Sequence, residues 1–363
     1  MISAFKYLAG KRYFPRYSLF LILPVLFSCT ELAYYSQSIK GHLDMISQRR
    51  LVTDVVNDPE TSAEVKRRLQ VSSEILAFAA DTMHLDAAGS YRHYADIGRD
   101  YVVWNVVATP KLSLTPETWC FPFAGCVPYR GYYDKGDAES FADKLSTEQG
   151  LDTHVYGVTA YSTLGWFDDP LLNTFLFEHE IRLVELLLHE LAHQKFYLED
   201  DSELNEAFAV VVAQKGAELW LEEHAEGSSL HDLRQIRSRE GQFFELFDTI
   251  RSELLDLYAS ELSDKEKLTK KKTVLVHFRQ QYKALHESWQ LKPQGGWLEG
   301  ELNNARFAAV ATYRRLVPPL ERIWETVGGR PSDFYELVNG LATLDKPTRR
   351  QRLLEGKVSS SQE

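Results

Sequence analysis

The sequence predicts an α+β fold in which a small lobe with a mixed sheet precedes a mostly helical C-terminal lobe. Short strand-like stretches follow one another between about residues 100 and 161, with one helical stretch among them at about 137–148. From about residue 176 to 345 the apolar side chains recur at helical spacing instead. Neither an internal repeat nor a linker separates the two parts. We therefore expect them to pack as the two lobes of one unit, with a cleft between them.

Residues 1–28 predict an export signal that is not part of the fold. A basic start leads into an apolar run from Tyr17 to Phe27, which is shorter than the roughly 20 apolar residues of a membrane-spanning helix. The run ends in Leu26-Phe27-Ser28-Cys29, which resembles the lipobox of bacterial lipoproteins, where the cysteine is lipidated. We therefore expect a lipid anchor at Cys29 and an envelope lipoprotein that faces the periplasm, on the outer membrane because Thr30 is not an aspartate. The alternatives are a plain cleaved signal peptide and an uncleaved anchor.

Two helices are predicted between this leader and the strands. Amphipathic spacing predicts the first from Glu31 to Arg49, close to the membrane if Cys29 is lipidated. Asp58-Pro59 is expected to begin the second, which runs to about His84. Four short strands should follow, and these are Tyr101 to Ala108, Lys111 to Leu114, Val127 to Asp134 and Asp152 to Tyr161.

The cysteine usage fits an oxidising compartment. Apart from Cys29, the chain has only Cys120 and Cys126, which flank a turn-prone segment with Pro122 and Gly125. A local disulfide is the natural interpretation outside the cytosol. Closing so short a loop would stabilise the fold by roughly 2 kcal/mol in the chain-entropy model. Two free thiols in a cytosolic protein are the alternative, which the leader argues against.

The segment Leu188-His189-Glu190-Leu191-Ala192-His193 contains an H-E-x-x-H motif within an apolar helical stretch. Residues i and i+4 of a helix share one face, so His189 and His193 can both offer nitrogens to one ion. Glu190 is rotated by about 100°, where it can reach a water on that ion. Burying these polar groups without partners would cost several kcal/mol, and a cation removes that cost. The pattern predicts a zinc site; three ordinary polar residues on a helix are the alternative.

The next helix offers a third ligand. Asp200-Asp201-Ser202 is a cluster of capping residues, and Glu203 to Glu223 is predicted to be helical. Glu206 shares a face with apolar residues, and the short link predicts antiparallel helices, so Glu206 can point at the histidine pair. The rival ligands lie at the turn, where capping is the simpler role. They are Glu199, Asp200, Asp201 and Glu203.

These motifs resemble a known class of enzymes. The H-E-x-x-H motif followed by Asn205-Glu206-Ala207-Phe208-Ala209 resembles the glutamate-ligand zincins, or gluzincins. Further stretches are similar to one bacterial group in that clan, the zinc aminopeptidases with a lipoprotein-type leader. These stretches are Tyr101 to Ala108, Trp119 to Pro122, Gly125 to Val127, Tyr129 to Tyr132, Ala160 to Pro170 and Leu302 to Arg306.

The resemblance implies one Zn²⁺ per chain, held by His189, His193 and Glu206, with Glu190 as general base. It also implies a zincin-like unit, expected over residues 29–353. The sequence pattern itself predicts a disordered tail over residues 354–363. Within the unit, the strand-rich part is expected at about 100–161, the active-site helices at about 176–226 and the helical part at about 229–345. One departure from the thermolysin-type pattern is Val210, which stands where an aspartate would support a ligand histidine. We therefore expect this support to come from elsewhere or to be absent.

The substrate groove is expected beside the strand that ends at Tyr161. Zincins bind an extended peptide along such an edge through main-chain hydrogen bonds. The segment Tyr161 to Trp166, including Ser162 and Gly165, would then line the groove, although a structural turn is an equal alternative. Asp168 would cap a turn or hold a substrate α-amino group. Tyr313, Tyr161 and Arg306 are the candidates for the donor that stabilises the oxyanion.

Charge and composition limit the partners. The net charge of −11 argues against a nucleic-acid or anionic-membrane surface, and the runs Lys270 to Lys272 and Arg349-Arg350 are most simply solvated helix ends. The expected partners are a peptide substrate and, through Cys29, a membrane. We therefore expect a zinc-dependent peptidase, of the aminopeptidase type. A zinc endopeptidase and a non-catalytic zinc-binding envelope lipoprotein are the alternatives.

Overall fold

A computed structural model describes residues 29–356, except for 88, 122–124, 161–167, 200, 225–227, 293–295 and 312–314. The architecture is α+β and mostly helical. In chain order the first elements are α1 (Cys29–Ser47), β1 (Arg50–Leu51), α2 (Val52–Asn57) and α3 (Ala63–Asp81).

The strand-rich part comes next. It consists of β2 (His93–Ala95), β3 (Val103–Thr109), β4 (Trp119–Phe121), β5 (Gly125–Val127), β6 (Arg130–Tyr132), α4 (Lys135–Gln149), β7 (Asp152–Val158) and β8 (Leu171–Leu172).

The remaining described residues are helical. The helices are α5 (Asn173–Leu176), α6 (Glu180–Lys195), α7 (Ser202–His224), α8 (Ser228–Ala259), α9 (Asp264–Ser288), α10 (Asn304–Ala311), α11 (Val317–Thr326), α12 (Pro331–Ala342) and α13 (Lys346–Glu355), with a 3-10 turn at Gly296–Leu298.

The strands form small sheets rather than one. The sheet with order β6-β3-β7 is antiparallel, and β7 is one of its edges. Parallel pairing occurs between β2 and β8, in the separate sheet β1-β2-β8 that the sequence did not predict. The hairpin of β4 and β5 carries a disulfide between Cys120 and Cys126. The mixed sheet is therefore distinct from the antiparallel sheet between residues 100 and 161.

Helices α6 and α7 pack against each other in the largest core cluster. Leu187 and Leu188 of α6, and Phe208 and Val211 of α7, are at most 1% exposed. Gly216 of α7 permits a close approach, because a Cβ added there would lie 2.3 Å from Cδ1 of Leu188. The two helices that carry the motif residues are thus held by tightly packed apolar contacts.

Helices α8 and α9 form a hairpin with its own aromatic core. The Phe307 ring of α10 packs 5.0 Å from that of Phe247 and 5.1 Å from that of Phe278, measured between ring centroids. Helix α10 also contacts β3 and β7. The hairpin is therefore attached to the strand-rich part through α10.

The second predicted helix begins later than the sequence indicated. Asp58 ends α2 and accepts a hydrogen bond from the backbone N–H of Glu60, which stops the chain from continuing as helix at Pro59. Helix α3 starts only at Ala63, where the Ser62 hydroxyl accepts from the N–H of Val65. Ser62 is therefore the N-cap.

The predicted strand over residues 111–114 is wrong. The Asn304 side-chain amide donates to the carbonyls of Pro110, Lys111 and Ser113 at 2.9–3.2 Å. These contacts satisfy carbonyls of the segment without a partner strand. The predicted strand over 127–134 is divided into β5 and β6 at Pro128, which has no N–H to donate.

Helix α13 extends into the predicted disordered tail. It continues to Glu355, with Asp345 as its N-cap and Gly356 as a left-handed C-cap, so the tail prediction is wrong for 354 and 355. Residues 357–363 lie outside the described residues. Within the described part of the chain, no helix combines the length and apolarity needed to cross a membrane.

We predict that Gly216→Ala lowers the free energy of unfolding by about 1–3 kcal/mol, because its Cβ would overlap the fully buried Leu188. Gly241→Ala is the matched control within α8, since a Cβ there meets nothing within 4 Å. Alanine should stabilise that position by about 0.5–1 kcal/mol. Urea unfolding of both variants measures the difference. Equal stabilisation by the two substitutions would contradict the close α6–α7 contact.

Candidate functional site

Three polar side chains converge where α6 lies against α7. The Nε2 atoms of His189 and His193 are 3.2 Å apart. The Oε2 atom of Glu206 lies 3.3 Å from His189 Nε2 and 3.7 Å from His193 Nε2. Among the described residues, no second group of three His, Cys, Asp or Glu side chains comes together in this way.

This donor set fits a zinc ion. Tetrahedral zinc with bonds of about 2.0–2.2 Å spaces neighbouring ligand atoms about 3.3–3.6 Å apart, close to the three distances found. Two ring nitrogens that face each other at 3.2 Å share at most one proton, whereas a cation accepts lone pairs from both. His189, His193 and Glu206 could therefore hold zinc and leave one position for a ligand from solvent.

The turn between α6 and α7 is fixed by Asn205. Its amide accepts from the backbone N–H of Leu198 and donates to the Leu198 carbonyl, both at 2.8 Å. Because Asn205 precedes Glu206, these bonds set the position of Glu206 relative to the end of α6. The sequence analysis assigned no role to Asn205. Its role could have been suspected, because asparagine is a poor helix former and yet stands in the first turn of an apolar helix.

Two of the four rival carboxylates at the turn, Asp201 and Glu203, pair with arginines instead. Asp201 is 1% exposed and accepts from Arg349 and Arg350, each at 2.7 Å. Glu203 pairs with Arg350 as well. Glu199 is exposed, and residue 200 lies outside the described residues.

Both basic runs are more than solvated helix ends, which corrects the prediction. Arg349 is 5% exposed and ties α13 to the start of α7. Lys271 is also buried, pairs with Asp152 and donates to the Lys111 carbonyl at 2.9 Å. Composition alone could not predict the burial of Lys271 and Arg349, because their partners Asp152 and Asp201 are far away in the sequence.

Glu190 is buried beside the three converging side chains and is 8% exposed. Burial raises its pKa to about 7, with the negative charges of Glu206 and Asp169 adding to the effect and His189 opposing it. A carboxyl group with this pKa exchanges a proton readily near neutral pH. It therefore has the property that a general base needs.

The outer nitrogen of His193 has no supporting carboxylate in the described part of the chain. His193 Nδ1 is buried without a hydrogen-bond partner there. Val210, one turn after Glu206, lines the cavity in front of the site. The expectation from the sequence was that this support comes from elsewhere or is absent.

A cavity of 1160 Å³ opens in front of the site. Its walls come from both lobes and are strongly aromatic. They include Tyr34 of α1, Tyr129 before β6, Tyr156 of β7, Phe244 of α8 and Trp297. The cleft expected between the lobes therefore contains the motif residues and the edge strand β7.

Two other predicted site residues, Arg306 and Asp168, lie within the described part of the chain, and neither joins the three converging side chains. Arg306 lines the cavity, but its guanidinium donates to the carbonyls of Glu299 and Gly296 at 2.8 and 2.7 Å. Asp168 is exposed and does not line the cavity, and its carbonyl accepts from Arg49, so the role of amine binder is not supported. Four further candidates lie outside the described residues, and these are Tyr161, Ser162, Gly165 and Tyr313.

Tyr129 is a site residue that sequence reasoning missed. It lines the cavity, and its pKa is raised well above the ordinary value by burial and then by the negative charge of Glu206, with Glu190 contributing. Its phenol therefore stays protonated and can donate a hydrogen bond at neutral pH. The available signal was Pro128, which ends β5 and places Tyr129 between two strands.

A ring of ion pairs joins α6 to α8 along the cavity. Arg182 bonds to Glu185 at 2.8 Å and to Glu240 at 3.0 Å. Arg237 bonds to Glu240 at 2.8 Å and also pairs with Glu185. All four line the cavity, and Glu185 lies one turn before His189. The ring therefore ties the α8–α9 hairpin to the helix that carries the motif.

We predict that His154 makes the fold less stable in mild acid. Burial and the nearby Arg306 charge lower its pKa to about 4, below the unfolded value of about 6.5. The unfolded chain therefore binds the proton first, and stability falls as the pH drops from 6.5 to 4, by on the order of 2 kcal/mol. His154→Phe should flatten this part of the stability–pH curve in urea unfolding. An unchanged curve would contradict the prediction, and His231→Gln on the exposed face of α8 is the control.

Comparison with known proteins identifies a family. A family model described as "Putative aminopeptidase" matches residues 33–353, from within α1 to within α13. No curated protein and no solved structure matches the chain. The matched range includes both lobes and all four motif residues. The chain therefore belongs to the family described as "Putative aminopeptidase".

Proposed function

We propose that this protein is a zinc-dependent peptidase of the aminopeptidase type. The observation that carries the proposal is the convergence of His189, His193 and Glu206, with the buried Glu190 beside them. The family supports peptidase activity. A zincin-like fold of the gluzincin kind is supported by the antiparallel edge strand β7, which lines the same cavity as the motif helix, and by the glutamate on the next helix.

His189, His193 and Glu206 hold one zinc ion per chain in this proposal. When bound, the ion lowers the pKa of a water toward about 7 and polarises the scissile carbonyl. Glu206 would offset part of the cation's charge. His193 is buried, and the side chains of His189 and Glu206 are only 22% and 12% exposed, so most solvent is kept from the site. The close packing of α6 against α7 would position the ligands before the ion arrives.

Glu190 takes a proton from the attacking water and passes it to the leaving amine. The helix places its carboxylate about 100° around α6 from His189, next to the ligands instead of among them. The pKa of about 7 suits both halves of this transfer. Tyr129 is the proposed donor to the oxyanion, because it lines the cavity and keeps its proton.

A substrate peptide lies along β7 in this scheme. The strand is an edge of its sheet, and edge strands bind extended chains through main-chain hydrogen bonds. His154, Tyr156 and Val158 of β7 all line the cavity. Aromatic walls around the groove favour substrates with apolar side chains.

We predict about one zinc per chain in the purified protein, measured by metal analysis. Glu206→Ala and His189→Ala should lose or greatly weaken the metal, because each removes one of three protein ligands. Glu199→Gln, an exposed carboxylate at the same turn, is the control and should keep it. A metal-free wild type after gentle purification would overturn the zinc proposal.

Glu190→Gln should keep zinc and lower peptide turnover by at least about a hundredfold, because the amide cannot take the proton. Metal content and turnover of the same preparation separate the two effects. Full activity in this variant would show that another group is the base. A wild type that holds zinc through mild chelation but cleaves no peptide would instead favour a structural metal.

Aminopeptidase and endopeptidase activity are separated by the substrate's N-terminus. We predict cleavage of peptides with a free α-amino group and not of the same peptides after N-acetylation. Product masses identify the bond that is cut. Equal cleavage of acetylated peptides would favour an endopeptidase with the same zinc chemistry.

We also propose that the protein is anchored in the cell envelope through Cys29 and faces the periplasm. The lipobox-like sequence ending at Cys29 supports this, and Cys29 is the first residue of α1. The Cys120–Cys126 disulfide suits an oxidising compartment.

A further inference from the structure

Helix α1 has an inner face that packs against the protein. The Tyr34 ring lies 5.3 Å from that of Tyr132, and the Arg130 guanidinium lies 3.9 Å from the Tyr34 ring centre. Gly41 lies so close to the Tyr133 ring that an added Cβ would be 2.1 Å from it. Met45, one turn further on, is 2% exposed. At 100° per residue these α1 positions fall within about 20° of one line.

The opposite face of α1 is also apolar, and nothing covers it in the described part of the chain. Leu32, Ile39 and Leu43 fall about 140–180° from the inner face, so they form one line along the helix, which we name the outer stripe. They are 68%, 61% and 58% exposed, the three most exposed large apolar side chains among the described residues. A line of such side chains on a helix marks a surface that is covered by something else.

The position of the outer stripe in the chain identifies what covers it. The apolar run from Tyr17 to Phe27 ends two residues before α1, and the stripe starts three residues into that helix. Whether Cys29 is lipidated or the leader is retained, the membrane attachment lies directly at the start of α1. An attached helix with one apolar line lies in the headgroup region with that line in the lipid. Lys40 is exposed on the flank, where a long cationic side chain can reach phosphates.

We propose that the outer stripe of α1 docks on the lipid bilayer, so that the helix lies flat on the membrane with its inner face on the protein. The proposal rests on the envelope anchor proposed above and is independent of the peptidase chemistry. The anchor holds the chain at the membrane, and the stripe fixes how the protein is oriented there.

The test measures the depth of spin labels in the full-length chain, isolated from cell membranes and reconstituted in vesicles of phosphatidylethanolamine and phosphatidylglycerol. A nitroxide is attached in turn at Leu32→Cys, Ile39→Cys and Leu43→Cys. Val276→Cys is the matched control, since Val276 is a 57% exposed apolar residue of α9. The unsubstituted chain is treated with the same reagent to measure any labelling of Cys29. Cys120 and Cys126 form a disulfide and are not labelled.

Oxygen concentrates in the lipid, whereas a nickel chelate stays in the water. If the proposal is right, the three α1 labels are more accessible to oxygen than to the chelate, and the label at Val276 is more accessible to the chelate. Adding Leu32→Glu and Leu43→Glu should move the label at Ile39 into water. Labels that stay in water while the protein floats with the vesicles would overturn the docking and leave the anchor intact. Failure to float would overturn both. Labels shielded from both reagents, with spin–spin broadening, would assign the stripe to a second copy of the chain.

Discussion

The close packing of α6 against α7 is the constraint on which the site depends. The ligand geometry requires that side chains from two helices meet to within a few tenths of an ångström, and apolar packing supplies that precision. Gly216 permits the contact along the helices, and Asn205 fixes the turn that joins them. Arg349 and Arg350 hold Asp201 at the start of α7 and so prevent that end from fraying. None of these four residues touches the reacting atoms.

Burial of the site side chains has two effects, because it penalises their charged forms and it raises the pKa of Glu190. Glu190, His193 and Glu206 lie in surroundings that penalise their charged forms, and the same burial moves the pKa of Glu190 toward neutrality. In the proposed mechanism, a cation at the convergence point would offset this penalty for the carboxylates. The proposed ion, the proposed base Glu190 and the apolar helix would then be parts of one electrostatic balance.

The helix pair and its motif could be predicted from sequence because their signals are local. Periodicity and spacing alone predict that His189 and His193 share a face, and the structure brings Glu206 to the same point. What could not be predicted depends on contacts distant in sequence. The Asn304 amide bonds to the carbonyls of Pro110, Lys111 and Ser113 where a strand was predicted, and Lys271 is buried in its pairing with Asp152. Tyr129 reaches the cavity because it lies directly before β6, and β6 pairs with the distant strand β3.

Helix α1 forms part of the cavity wall through Tyr34 and Ser38, while its other face carries the outer stripe. A helix with its side chains is about 10–12 Å across. With the stripe in the lipid, the cavity therefore begins roughly one nanometre above the depth that the stripe reaches, beside the headgroups. For a substrate tethered to the same membrane, the relevant concentration is then the number of peptide N-termini per unit area of membrane. The enzyme and any tethered substrate would meet by lateral diffusion in a plane, and the rate would follow their surface densities more closely than the volume of the compartment.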